Sequence, residues 1–140
     1  MGSRRESRVI AMHVLYTFDV CGLSIEESWD AFFEKYDSTK ADKVNKFARQ
    51  LIDGVVKNME YIDAQISNSA KNWDINRMAS VDRTVLRIAS FELLYLTEIP
   101  VKVIINEAVE VVKNYSTKDS GKFINGVLDK IKLKRPKSSQ

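Results

Sequence analysis

A chain of 140 residues with 44% hydrophobic and 29% charged side chains is an ordinary globular chain, long enough to bury one core. Its net charge of +3 conceals an asymmetry: residues 1–8 and 130–137 together carry +7 and the remainder −4. No apolar run is long enough for a membrane span, no secretion signal opens the chain, and a lone cysteine, Cys21, excludes an internal disulfide framework, so the expected location is the cytoplasm.

In chain order the sequence reads as helix after helix. Ser3 and Glu6, then Ser24 and Glu27, have the spacing of a capping box, in which the serine oxygen accepts an orphan amide and the glutamate reaches back. After the first, Ile10, Ala11, Val14, Leu15 and Phe18 form one apolar face, and Gly22 can supply a left-handed stop. After the second come Trp29, Phe32, Phe33 and Tyr36 at helical spacing. Val44, Phe47, Ala48, Leu51, Ile52 and Val55 make a third stripe, and Met59, Ile62 and Ile66 a shorter fourth. The segment SVDRTVLRIASFELLYL, residues 80–96, is apolar nearly all round, which predicts a central buried helix. Pro100 separates it from a stripe through Ile104, Ala108, Val111, Val112 and Tyr115. A polar loop, STKDSG, then leads to a last helix ending near Ile131. No stretch alternates with period two for long enough to form a strand, so the fold class is all-α, a single-domain bundle of six to seven helices.

Asn125-Gly126 interrupts that last stripe with a dipeptide usual in turns. A helical glycine costs about 1 kcal/mol relative to alanine, so the expectation is that Gly126 packs against a neighbouring backbone and Asn125 hydrogen-bonds across the junction.

Catalytic chemistry is not visible. One histidine, His13, and one cysteine supply neither a metal cluster nor a nucleophile and base pair, and the five glycines are isolated rather than gathered in a phosphate loop. His13 is read as a half-buried helix residue. Glu107 and Glu110 could pair as carboxylates, but a helix N-terminal acid and a solvated one are the simpler description. No enzyme activity, cofactor or metal is expected.

Charge points elsewhere. Basic ends suggest a polyanion, most often nucleic acid, although for the Pro136-containing tail solubility is the preferred reading. At about 100° per residue, Arg5, Arg8, Met12 and Tyr16 share a second face of the first helix, with Arg4 able to reach around its start. Arginines give bidentate contacts to phosphate, and a tyrosine ring offers a surface for an unpaired base. An arginine-rich solvated end, with Tyr16 at the core rim, fits the same pattern. Lys118, Asp119, Lys122 and Phe123, where loop meets last helix, form a polar and aromatic set that can face a nucleotide.

The segments RRESRVIAMHVLY, DRTVLRIASFELLY, IPVKVIINEAVEVVK and KDSGKFINGVLDKI, in this order over almost the whole chain, resemble the NusB family of bacterial transcription antitermination factors. The resemblance implies an all-helical domain over 1–131 followed by a basic disordered tail, 132–140. It implies binding of single-stranded boxA RNA together with the ribosomal protein NusE, in the RNA polymerase antitermination complex that transcribes ribosomal RNA operons. Carried over by residue, it places Arg4, Arg5, Arg8 and Tyr16 in an RNA-binding motif with Lys122 and Phe123 beside it as one composite surface. Asp82 and Arg83 open the DRTVLRIA helix with exposed charge; Asp82 is the pick for the NusE contact, while a solvated helix start is the simpler description of both. Glu6 and Ser7 interrupt the arginine run that some members carry, so RNA binding without NusE is expected to be weak. Homodimers also occur in the family. Two other classes stay open: the RNA-binding domain of a ribosomal RNA cytosine methyltransferase, and a helical module that binds only protein.

Overall fold

The computed structural model describes residues 2–35, 42–71 and 73–137. Seven α-helices follow one another: α1 (Gly2–Cys21), α2 (Ile25–Lys35), α3 (Asp42–Lys57), α4 (Met59–Ser69), α5 (Ser80–Tyr95), α6 (Val101–Tyr115) and α7 (Lys118–Ile131). Short 3-10 turns occupy Ile75–Arg77 and Lys132–Lys134, and the described residues contain no strand.

The centre is α5, which packs against α1, α3, α4, α6 and α7. Every residue from Thr84 to Leu94 is buried, as a helix apolar on all sides requires. Its charged side chains are therefore tied down. Arg87 donates to both carboxylate oxygens of Asp63 on α4, at 2.8 and 2.9 Å. Arg83 at the helix start donates to Asp19 on α1 at 2.6 and 3.0 Å, and to the carbonyls of Ile75 and Met78. Glu92 receives Arg8 from α1. These pairs set the helix directions. Arg8 meets Glu92 and Asp19 meets Arg83, so α1 runs antiparallel to α5. Arg5 meets Glu107 and His13 meets Tyr115, so α1 runs parallel to α6.

Local signals behave unevenly. The Ser24 capping box forms in full, with the Glu27 amide on Ser24 Oγ at 3.0 Å and the Ser24 amide on Glu27 Oε1 at 2.9 Å. That bond from the Ser24 backbone holds the Glu27 carboxyl below its usual range. Gly22 adopts φ +72° directly after α1, the left-handed stop its position called for. The Ser3 box is not the helix start, because α1 already begins at Gly2. Tyr36 lies outside the described residues.

Three expectations are corrected by packing. Gly126 is exposed, and a Cβ placed there meets nothing within 4 Å, so no backbone approaches it. The close approach is at Gly54 on α3, where a Cβ would overlap the ring of Phe91 from α5. The loop before α7 is also shorter than the six residues of STKDSG. Helix begins at Lys118, so DSG lies in the first turn of α7, where Gly121 is buried and a Cβ would meet Val109 of α6 at an ordinary contact distance of 3.5 Å. Finally, order continues past Ile131. Arg135 donates to the carbonyls of Leu96 and Ile99 at 2.8 and 2.6 Å, anchoring the chain beyond α7 to the α5–α6 connection. Residues 138–140 of the expected tail lie outside the described residues.

Candidate nucleic-acid interface

The second face of α1 divides by burial. Arg8 is 5% exposed and Met12 3% exposed, both sunk between α5 and α6 with Val85, Ile88, Ala89 and Ile104. The Arg8 guanidinium donates through Nη2 to Glu92 Oε1 at 2.6 Å and through Nε to Glu92 Oε2 at 2.9 Å. Nε and Nη2 are both taken by Glu92, and the pair is buried, with Arg8 reaching only the floor of the groove that Arg4 and Arg5 border. Arg8 is thus corrected from a phosphate ligand to a buried clamp between α1 and α5. Burial pushes the Glu92 carboxyl above its usual range even with Arg8 against it. The sequence contained one overlooked signal. An acid inside a helix that is apolar all round needs a buried cation partner, and Glu92 sits within FELLY.

Arg4 and Arg5 are exposed. Arg5 holds Glu107 of α6 in a bidentate pair, Nε to Oε1 at 2.9 Å and Nη2 to Oε2 at 2.7 Å. The hydrogen bond from Arg5 keeps the Glu107 carboxyl below its usual range. Because half of the Arg5 side chain remains in water, this carboxylate is an exchangeable occupant of its fork. Arg4 lies with its guanidinium carbon 4.5 Å from the centroid of the Phe47 ring. Together with Arg8, Glu98 and Glu107 they line a groove of roughly 430 Å³ between α1 and the start of α6, walled by Ile99, Pro100 and Val103. Tyr16 is half-buried on α1, one turn beyond Met12.

The second candidate cluster lies elsewhere. A groove of about 180 Å³ is lined by Trp73, Met78, Asp82, Thr117, Asp119 and Phe123, among others. Phe123 meets Trp73 with ring centroids 5.6 Å apart, and Trp73 is 56% exposed, so the pair presents an aromatic rim. Asp119 and Lys122 are exposed beside it, while the side chain of Lys118 falls outside the described residues. The structure does not merge these residues with the arginines into one patch. The two grooves lie at opposite ends of α6, whose 15 residues span about 22 Å at 1.5 Å per residue.

Asp82 is not the exposed charge its helix-start position suggested. It is 7% exposed, with Oδ2 accepting from Ser120 Oγ at 2.9 Å, because the first turn of α7 lies over the first turn of α5. Its Oδ1 has no hydrogen-bond partner among the described residues, and the N-terminal end of α5 supplies a compensating positive field. His13 is half-buried between Phe32 and Tyr115, at centroid distances of 5.5 and 5.4 Å. Burial and nearby Lys35 keep its pKa below the ordinary value. Among the described residues no group of His, Cys, Asp and Glu could hold a metal, and no helix is long and apolar enough to cross a membrane.

The described residues thus form an all-helical domain with exposed arginines beside the start of α6 and an aromatic-rimmed groove beside its end, the class of helical domains with a basic N-terminal helix. Comparison with known proteins narrows the class. The NusB family profile matches residues 5–132, so the chain belongs to the NusB family. The transcription antitermination protein NusB of Syntrophotalea carbinolica is 41% identical over 93% of this chain and 92% of its own length. Among solved structures, T. maritima NusB superposes with a TM-score of 0.85 at 38% identity, covering 94% of this chain and 92% of that one. A NusB solved with the antitermination factor NusE and double-stranded RNA matches with a TM-score of 0.85 at 31% identity, covering 95% and 98%.

Proposed function

We propose that this protein is a transcription antitermination factor that binds boxA-type single-stranded RNA together with NusE, supporting transcription of ribosomal RNA by the RNA polymerase antitermination complex in the cytoplasm. The observation that carries the reading is the pairing of exposed Arg4 and Arg5, on a helix clamped one turn later by Arg8 and Glu92, with an aromatic-rimmed groove at the far end of α6. Arginine forks take phosphates at the first end. At the second, Trp73 and Phe123 offer ring surface to an unpaired base, and Asp119 accepts from base amino groups while Lys122 meets the backbone. Lys118, at the start of α7, belongs to the same end. Tyr16 lies between the two on α1. Base stacking requires bases out of a duplex, which favours single-stranded over double-stranded RNA here.

Asp82 acts from beneath by holding Ser120, and thereby the first turn of α7; NusE meets the surface around it. A binding factor rather than a catalyst is supported by the family to which the chain belongs and by its relatives named as antitermination proteins. A matching relative of nearly the same extent, named as an antitermination protein, favours this reading over a methyltransferase domain.

Fluorescence anisotropy with boxA-type RNA over a salt series, with and without NusE, tests the proposal. Few phosphate contacts predict weak binding alone and a gain with NusE. Arg4→Ala and Arg5→Ala should each flatten the salt slope by about 0.7 log unit per log unit of salt. Tyr16→Ala should lower affinity with the slope nearly unchanged, because stacking carries little charge. Lys134→Ala in the basic tail should do less than any of these. Absence of RNA binding even with NusE present would refute the assignment.

A further inference from the structure

We infer that the groove between α1 and α3 is a second phosphate-binding track, which carries the RNA backbone around the N-terminal end of α1, away from α6. This rests on the RNA reading above and extends it to residues outside the family motif. The groove, of about 200 Å³, is bordered by Ser3 and Arg4 on α1 and by Lys43, Lys46, Phe47 and Gln50 on α3. The α3 residues are spaced i, i+3, i+4 and i+7, so they form one stripe facing the start of α1. Lys43 and Lys46 are exposed, and among the described residues neither has an ion pair. No carboxylate among the described residues lines the groove, and Asp42, next in sequence, is not part of its wall.

This sets it apart from its neighbour. The groove between α1 and α6 contains Glu98 and Glu107 alongside its arginines, so a phosphate there must displace or oppose an acid. On the α3 side the cations stand uncompensated, which fits a polyanion. Arg4 borders both grooves, and it forms no ion pair among the described residues. Its guanidinium lies 4.5 Å over Phe47, which fixes the plane of the fork while leaving its edge for phosphate oxygens. Ser7 Oγ donates to the Val44 carbonyl at 2.8 Å, holding α1 and α3 together at the floor. A strand crossing Arg4 therefore passes from one groove into the other while staying against the one cation that borders both.

The test uses the full chain, NusE and three RNAs: a boxA-type single strand, and the same strand extended by a short uridine run at its 5′ or its 3′ end. One extension should bind wild-type protein more tightly and with a steeper salt dependence. The variant Lys43→Gln/Lys46→Gln should lose that gain, and with it about 1.4 log units of salt slope for two contacts at roughly 0.7 each, while binding of the unextended strand changes little. If neither extension helps wild-type protein, or the variant keeps the gain, the second track does not exist. If the variant loses affinity for NusE but not for RNA, the groove is a protein contact and this inference alone fails. If no RNA binds in any combination, both this inference and the proposed function fall. Both lysines are exposed, so an unchanged thermal melt confirms that the variant is folded.

Discussion

Arg8→Ala separates the structural role of the first helix from the RNA-binding role proposed for it. The Arg8 and Glu92 side chains are 6% and 1% exposed, and their pair closes with a bidentate contact. Removing the cation strands a carboxylate in the core, a change that costs about 3–5 kcal/mol. That is a large share of a typical domain's stability, and it should appear as a much lower urea midpoint. The sign of its pH dependence follows from Glu92. Burial already raises its carboxyl pKa in the intact protein, and loss of Arg8 raises it further. A folded-state pKa above the unfolded one gives stability that is present in acid and lost as pH rises, so the deficit of Arg8→Ala should be smallest near the acid end and grow toward neutrality. The decisive variant is Arg8→Met/Glu92→Leu, which removes both charges and keeps volume among apolar neighbours such as Met12 and Ile88. It should be as stable as wild type or more stable, since replacing both members of a buried pair avoids their desolvation. Its RNA salt slope should equal that of wild type. A stable double variant whose slope has fallen by about 0.7 would show that Arg8 reaches a phosphate, and the clamp assignment would be refuted.

Other expectations follow from the same packing. Gly54→Ala should destabilise by at least 1–3 kcal/mol, because its Cβ overlaps the Phe91 ring, whereas Gly126→Ala, in open helix, should stabilise by about 0.5–1 kcal/mol; urea unfolding reads both. His13 has a depressed folded-state pKa, so its contribution is complete above about pH 6.5 and is lost as pH falls through the folded value. His13→Gln should weaken that acid-side loss in unfolding curves taken across this range. Glu107→Gln removes the carboxylate that occupies the Arg5 fork, so RNA affinity should rise in anisotropy titrations, and unchanged affinity would mean that Arg5 does not exchange partners. Sedimentation with increasing boxA-type RNA should dissolve any homodimer; a dimer that persists at saturation would exclude competition for one surface.

What could be read from the sequence was set by how local the cause is. The Ser24 capping box and the Gly22 stop depend on a few adjacent residues, and both form as read. The buried character of α5 follows from its all-round apolar surface. Gly126 was misread because a helical glycine shows only that a side chain is missing, and whether a neighbour fills the space depends on helices far away in sequence. Gly54 carries the same local signal and the opposite answer, since Phe91 happens to cross it. The arginines failed in the same way. Helical spacing places Arg5, Arg8 and Tyr16 on one face, but α5 and α6 close over the middle of that face and leave its start open. Only long-range pairing with Glu92 distinguishes Arg8 from Arg5.

The buried clamp and the exposed arginines are mechanically linked. A surface arginine on a freely rotating or fraying helix start loses much of its binding energy to ordering. Here α1 is pinned to α5 at two places, by Arg8 with Glu92 and by Asp19 with Arg83 and Arg87. The pins are 11 residues apart, about 16 Å along the helix axis, and two separated attachments fix rotation as well as position. Arg5 precedes the first pin by one turn, and Phe47 sets the plane of Arg4. If Arg4 and Arg5 hold phosphates as proposed, the ordering cost of their forks is met largely by folding, before RNA arrives. A charged residue buried in the core and a charged residue at the surface, three positions apart, thus act on the same event: the first sets where the second points.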